Sequence, residues 1–362
     1  MRTSLDSYVT LGRSGLRVSP LTLGTMTFGE DSGWGCSPEE SEKILQTYLD
    51  RGGNSIDTAN IYTNGHSEKI LGDYFAARPG LRDRIVLGTK FFANLYPGDP
   101  NGGGAGRKAI IAQLEQSLRR LRTDYVDLYW LHNWDRGAPI EETLRAMDDL
   151  VTAGKVRYLG LSDVPAWYAA EAQTTARFRG WSPVVAMQLE YSLLERTVEG
   201  ELIPMARHHG LAVMPWGPLK SGFLSGKYTR ETAGAVLSPR SALVGVPSAD
   251  DYDVIDALRA VAGDVGASPA AVALAWARGR AGVGSTLIGA RSVEQLNANL
   301  ESLAVELAPE QVAALDEVSA PTMNFPAANH AHLAPMLQFS GATVDGVHTD
   351  VWSSLANSPA RY

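Results

Sequence analysis

Short apolar runs rich in β-branched residues alternate along this chain with longer segments whose apolar positions recur every three to four residues. That alternation signals repeated strand–helix units and a parallel sheet. Eight strand-like runs are read, at residues 21–23, 55–57, 85–90, 126–132, 156–162, 184–188, 212–216 and 286–289. Helical stretches between them include 38–51, 67–77, 108–121, 140–153, 200–209 and 253–265, and several close on glycine (Gly52, Gly154, Gly210, Gly266), where a left-handed residue ends a helix. A hairpin precedes the first unit, with the turn Gly12-Arg13-Ser14-Gly15 between alternating apolar positions, and is expected to cover one end of the fold. Eight units close a (β/α)8 TIM barrel, whereas a doubly wound sheet stops at five to seven strands and carries a Gly-rich turn after its first. The segment Gly24 to Gly29 does not satisfy G-x-G-x-x-G, so an α/β barrel over residues 1–320 is the expectation. Beyond it Pro321, Pro326, Pro335 and aromatics without a period read as a tail, 321–362, laid on the barrel.

The composition narrows the class of partner. A chain of 362 residues with 44% apolar and 20% charged positions has enough apolar surface for a large core, which excludes a disordered or collagenous protein. The formal charge of −8 disfavours an electrostatic grip on nucleic acid or on an anionic membrane, so a small molecule is the expected partner. Cys36 is the single cysteine, which rules out an intrachain disulfide, a thiolate zinc site and a Cys-x-x-Cys pair, and no metal site is read. No run approaches the roughly 20 apolar residues that span a bilayer, and residues 1–8 lack an apolar core stretch. The expectation is a soluble, cytoplasmic protein in a reducing compartment.

Chemistry in a (β/α)8 barrel sits where the strands end, so polar residues that terminate apolar runs are the candidates. Asp57, Tyr62, Lys90 and His132 end, or closely follow, three successive runs. Singly, each has an ordinary reading: a helix cap, a rim aromatic, a solvated strand end, a core histidine. Together they form an acid. A phenol is a poor proton donor at neutral pH, and an ammonium beside it favours the phenolate and pulls its pKa down. Lys90 supplies that charge, Asp57 keeps it paired, and His132 donates to a carbonyl oxygen next to the phenol.

These residues carry a resemblance. Asp57-Thr58-Ala59-Asn60-Ile61-Tyr62, Gly88-Thr89-Lys90 and Leu131-His132, with Leu23 to Gly29, Gly160-Leu161-Ser162, Gln188 to Ser192, Trp216-Gly217-Pro218-Leu219 and Ile288-Gly289-Ala290-Arg291-Ser292, resemble the aldo-keto reductase superfamily over about residues 8 to 318. The details are similar to the branch of bacterial reductases and potassium-channel β subunits. The resemblance implies the same barrel and a nicotinamide cofactor held without a Rossmann motif. It places Trp216 on the nicotinamide ring, Leu219, Gly222, Leu224 and Lys227 along the pyrophosphate, Gly289, Arg291, Gln295 and Asn299 at the far end, and Gly217 and Pro218 among the cofactor contacts. Arg291 stands where relatives meet a 2′-phosphate, which favours NADP(H). Gln295 has a second reading, a capping box with Ser292. Where the family usually has Ser-Asn after the fifth strand, holding the nicotinamide carboxamide with a Gln from the sixth, this chain has Ser162-Asp163 and Gln188. An ionised Asp163 accepts hydrogen bonds but donates none.

The activity these readings imply is NADPH-dependent reduction of an aldehyde or ketone, with Tyr62 as proton donor. Two alternatives stay open: a ketoreductase acting on a sugar nucleotide or another biosynthetic intermediate, and a nucleotide-holding regulatory subunit with little turnover. Phe28, Trp134 and Phe223 are candidate substrate contacts. The loop 133–139, the insertion 217–250 and the tail with Phe325 and Phe339 are expected to border one mouth. The glycine cluster at 102–106 fails the P-loop pattern and reads as a flexible loop.

Overall fold

The computed structural model describes residues 3–235, 245–357 and 359. Its main sheet has eight parallel strands: β1 (Leu21–Gly24), β2 (Ser55–Asp57), β3 (Val86–Phe91), β4 (Val126–Leu131), β5 (Val156–Ser162), β6 (Val184–Glu190), β7 (Ala212–Trp216) and β8 (Thr286–Ile288). They run in the order β8-β1-β2-β3-β4-β5-β6-β7. The seam between β7 and β8 closes just ahead of β8: the Val213 N–H donates to the Gly282 carbonyl at 2.8 Å, and the Val213 carbonyl accepts from the Gly284 N–H at 2.9 Å. The fold is a (β/α)8 barrel, and strand ends differ from the expected runs by at most two residues.

The helices that follow the strands are α1 (Pro38–Asp50), α2 (His66–Ala76), α3 (Arg107–Leu121), α4 (Ile140–Thr152), α5 (Ala166–Arg179), α6 (Leu202–His209), α7 (Ala249–Val265), α8 (Pro269–Arg278), α9 (Val293–Leu300) and α10 (Pro309–Val318). Serines start four of them: Ser37, Ser248, Ser268 and Ser292 each accept a backbone N–H from the first turn. Two helices lack a dominant apolar face. The buried side of α5 is mostly alanine (Ala169, Ala172, Ala176), and α8 is buried all round from Ala270 to Ala277.

The N-terminal hairpin pairs Val9–Thr10 with Arg17–Val18 and closes the end at which the strands begin. Leu11 and Val18 join Leu128, Val185 and Ala212 there in one apolar cluster. The turn needs glycine at position 12, where φ is +57° and a Cβ would lie 2.2 Å from the Val185 carbonyl oxygen. The opposite end, where the strands finish, is left open.

The tail departs from its expected irregular form. It contains α11 (Ala327–Phe339), a small hairpin pairing Thr343–Val344 with Val347–His348, and a turn at Ser353–Ala356. Its start packs on the connection between β6 and α6, where Met323 and Ala327 abut Gly200. Arg196 of that connection ties down the end of α10 through the Asp316 carbonyl and the Ser319 hydroxyl, at 2.8 Å each. Residues 236–244 of the expected 217–250 insertion lie outside the described residues. Among the described residues no single helix is long and apolar enough to cross a membrane.

Candidate active site

Asp57 is the last residue of β2, and the backbone beyond it stays tied to β3: the Thr58 N–H donates to Gly88 at 2.9 Å and the Asn60 N–H to Lys90 at 3.1 Å. Thr63, Asn64 and Gly65 then take left-handed φ values of 46°, 56° and 89° and swing the chain into α2. This reversal leaves Tyr62 in the barrel mouth. Lys90, fully buried in β3, forms an ion pair with Asp57 Oδ1 and donates to the Thr58 carbonyl at 3.0 Å and to the Tyr62 hydroxyl at 3.2 Å. His132 follows β4, anchored by its N–H on the Phe91 carbonyl at 3.1 Å, and its ring meets Tyr62 edge-on at 6.0 Å. The structure thus brings all four strand-end candidates together.

Burial sets the electrostatics here. It pushes Asp57 up and opposes the charge on Lys90, yet Asp57 and Tyr62 facing the ammonium hold Lys90 above its usual value, so the pair is carboxylate and ammonium. For Tyr62 burial outweighs the opposing pull of Lys90 and holds the phenol above its ordinary range. That corrects the expectation of a lowered phenol: the hydroxyl stays protonated at neutral pH, and Lys90 offsets only part of the rise that burial causes. Burial, then Lys90, holds His132 down at about 3, so its imidazole is neutral.

Asp57, Tyr62 and His132 line one side of a cavity of about 960 Å³. Ser162, Asp163, Gln188, Trp216, Gly217, Pro218, Leu219, Gly222, Lys227, Gly289, Arg291, Gln295 and Asn299 line the rest of it. Leu224 does not border the space and is fully buried beside it. Two left-handed glycines, Gly217 (φ 62°) and Gly222 (φ 94°), bend the chain after β7, and a Cβ at Gly222 would come within 3.3 Å of Lys227 Nζ. At the start of α9, Ser292 accepts the Gln295 N–H at 3.3 Å. Gln295 returns its Oε1 to the N–H of Arg291, at 3.0 Å, rather than to that of Ser292. Asn299 donates to the Gly289 carbonyl at 3.0 Å. Gln188 donates through Nε2 to Asp57 Oδ2 at 3.2 Å, and the Trp216 indole N–H donates to Asp163 Oδ1 at 3.0 Å. The sequence pointed to neither bond.

The candidate substrate contacts lie elsewhere. Phe28 and Phe223 are buried in the core and do not border the cavity, and Trp134 packs edge-on against Trp167 at 5.4 Å. No described residue beyond 320 borders the cavity, and Phe325 is 83% exposed. The cavity is instead lined by Met26, Ser32 and Trp34 from the loop after β1, by Ile61, and by Asn133 beside His132. The rule that the loop after each strand faces the site, applied to β1 as it was to β2 and β4, points to Met26 and Trp34.

Residues 20–320 match the Aldo/keto reductase family. An uncharacterized oxidoreductase of Bacillus subtilis is 37% identical over 320 residues, covering 86% of this chain and 95% of that protein. Norsolorinic acid reductase of Emericella nidulans is 36% identical over 327 residues (87% and 82%), and an NADP(+) aryl-alcohol dehydrogenase of Phanerodontia chrysosporium is 35% identical over 332 residues (86% and 85%). With its eight-stranded barrel and this match over most of its length, the chain belongs to the aldo/keto reductase family of oxidoreductases.

Proposed function

We propose that this protein reduces an aldehyde or ketone, with aryl carbonyls as the favoured class, using NADPH, and that residues 1–320 are the catalytic unit with 321–362 as an appended tail. The observation that carries the reading is the continuous chain from Asp57 to Lys90 to the Tyr62 hydroxyl, facing a neutral His132 across one cavity. The cavity fits a dinucleotide: Trp216 offers a flat apolar face near Tyr62 and His132, Gly217 and Gly222 leave the backbone bare, and Lys227 and Arg291 supply positive charge. Trp216 would hold the nicotinamide ring, Ser162, Asp163 and Gln188 its carboxamide, the stretch from Gly217 to Lys227 the pyrophosphate, and Arg291, Gln295 and Asn299 the phosphorylated ribose and adenine. When bound, the reduced cofactor supplies a hydride to the carbonyl carbon.

The protein's own part is to orient the carbonyl and protonate it. His132, being neutral, donates one N–H to the carbonyl oxygen without competing for its proton. Tyr62 gives its hydroxyl proton to that oxygen, and the phenolate left behind is stabilised by Lys90 at 3.2 Å. Asp57 keeps Lys90 charged. Support for aryl substrates and for NADP(H) comes from the named relatives and from the apolar wall of Met26, Trp34 and Trp216. The test follows NADPH absorbance with a panel of aromatic and aliphatic aldehydes, quinones and ketosugars, and assays the alcohol formed. Stoichiometric NADPH loss and alcohol gain are expected, fastest with aryl aldehydes. Tight NADPH binding without turnover on any carbonyl would overturn the reading in favour of a regulatory subunit.

A further inference from the structure

Asp163 follows β5 in a left-handed conformation (φ 49°) and borders the cavity together with Ser162 and Trp216. Its Oδ1 accepts the Trp216 indole N–H at 3.0 Å, and its Oδ2 accepts the Ser162 hydroxyl at 3.4 Å. Neither partner is a cation, and among the described residues no Lys or Arg forms an ion pair with Asp163. The charged and titratable groups that face it are Glu190 at the end of β6, Lys90 in β3 and the Tyr62 phenol. Two of these groups already have partners: Glu190 pairs with Lys220 at 2.8 Å, and Lys90 with Asp57. His132 is neutral. A negative charge on Asp163 is thus left uncompensated at the cavity wall, tied to the ring of Trp216.

We propose that Asp163 selects the redox state of the cofactor, its carboxylate favouring the oxidised, cationic nicotinamide over the reduced, neutral one. The inference rests on the reading above, which seats the nicotinamide against Trp216. Oxidised and reduced dinucleotides carry the same phosphates and differ by one positive charge on this ring, so a carboxylate near it distinguishes them electrostatically. Unit charges about 10 Å apart at an effective dielectric near 20 shift a binding equilibrium by about tenfold. The preference also depends on pH, because burial lifts the Asp163 carboxyl to about 6. Above that value the carboxylate is present and so is the preference. By linkage, bound oxidised cofactor pulls the carboxyl down by about one unit, so the preference is lost as pH falls from about 6 to about 5.

Isothermal titration calorimetry of the full-length protein with NADP+ and with NADPH, from pH 5 to pH 8, tests this without turnover. The 2′-phosphate titrates in the same range but is common to both ligands and cancels in the ratio of their Kd values. In the unaltered protein that ratio should move about fivefold toward NADP+ between pH 5 and pH 8. Asp163→Asn should abolish the movement and reduce the NADP+ preference at pH 8 about tenfold. Trp216→Phe keeps the carboxyl but removes a hydrogen bond that lowers its pKa, so the midpoint of the movement should shift to higher pH. A ratio that is flat in the unaltered protein, a ratio unchanged by Asp163→Asn, or a midpoint unmoved by Trp216→Phe overturns the proposal while NADPH binding itself stands. Failure of both nucleotides to bind overturns it together with the function on which it rests.

Discussion

Replacing Lys90 with methionine keeps most of the side-chain volume and removes one charge from a pair whose members are 0% and 3% exposed. The Asp57 carboxylate then keeps only a neutral donor among its hydrogen-bond partners at the site, Gln188 at 3.2 Å, and breaking a buried pair from one side costs about 3–5 kcal/mol. At roughly 2 °C per kcal/mol for a chain of this size, Tm should fall by about 6–10 °C at pH 8. Without the ammonium, the lowering influences of Lys90 on Asp57 are gone and burial drives its carboxyl further up. The folded variant then holds a proton that the unfolded chain releases near 3.9, so its stability is fully present below about pH 4 and declines as pH rises toward the folded value. The Tm deficit should therefore shrink at pH 5. Adding Asp57→Asn removes the stranded charge and should restore most of the Tm, while turnover, already reduced by about 10²–10⁴, stays low because the phenolate has lost its counter-charge. Thermal unfolding at several pH values and NADPH-linked turnover of the single and double variants check both halves. A double variant that regains turnover, or a single variant with unchanged Tm at pH 8, would refute the coupling of charge, phenol and fold.

Tyr62→Phe should lower kcat by about 10²–10⁴ and leave the NADPH Kd unchanged; near-native turnover in steady-state assays would remove Tyr62 from its role. Arg291→Ala, losing charge-assisted contacts worth about 1.5–3 kcal/mol, should raise the Kd for NADPH at least tenfold and leave that for NADH nearly constant, and equal losses would make Arg291 a structural residue. His132 stays neutral above about pH 3, so an acid limb near pH 6 in the rate profile should survive His132→Gln and vanish in Asp163→Asn. Ending the chain before Phe325 should leave kcat/KM unchanged across a substrate panel, since no described residue beyond 320 borders the cavity; altered substrate order would place the tail at the mouth.

The barrel was legible because strands covered on both faces read as continuous apolar runs, several of them broken by a polar residue where they reach the open end. The same break marks Asp57, Lys90 and His132, which is why the strand-end chemistry could be read before the fold was known. Helices buried evenly, or packed through alanine, leave no such trace, as α5 and α8 show. Helix α11 carries Pro335, and none of its described side chains is fully buried, so the tail looked formless. The loop after β1 depends on contacts distant in sequence. The Gly29 N–H meets the Cys36 carbonyl at 2.9 Å, Asp31 meets His66 at 2.8 Å, and Thr63 donates to the Phe28 carbonyl at 2.9 Å. This closure turns Phe28 into the core and leaves Met26 and Trp34 at the cavity. An aromatic in a motif does not reveal which way it will face.

Gln188 connects the acid to the proposed carboxamide site. Its amide nitrogen gives one N–H to Asp57, which leaves the second N–H and the carbonyl oxygen for a ligand. Ser162 gives its hydroxyl to Asp163 at the long distance of 3.4 Å and, like Gln188, can donate at any pH. A carboxamide presents both an amine and a carbonyl, so at neutral pH an ionised Asp163 could serve only its amine, while Ser162 and the second N–H of Gln188 could donate to its oxygen. An asparagine at position 163 would add a further donor. Aspartate gives that up, accepts the Trp216 N–H all the same, and adds a charge that an amide lacks. Under the proposed reading, Asp in place of Asn would trade a hydrogen bond to the carboxamide for electrostatic leverage on the ring.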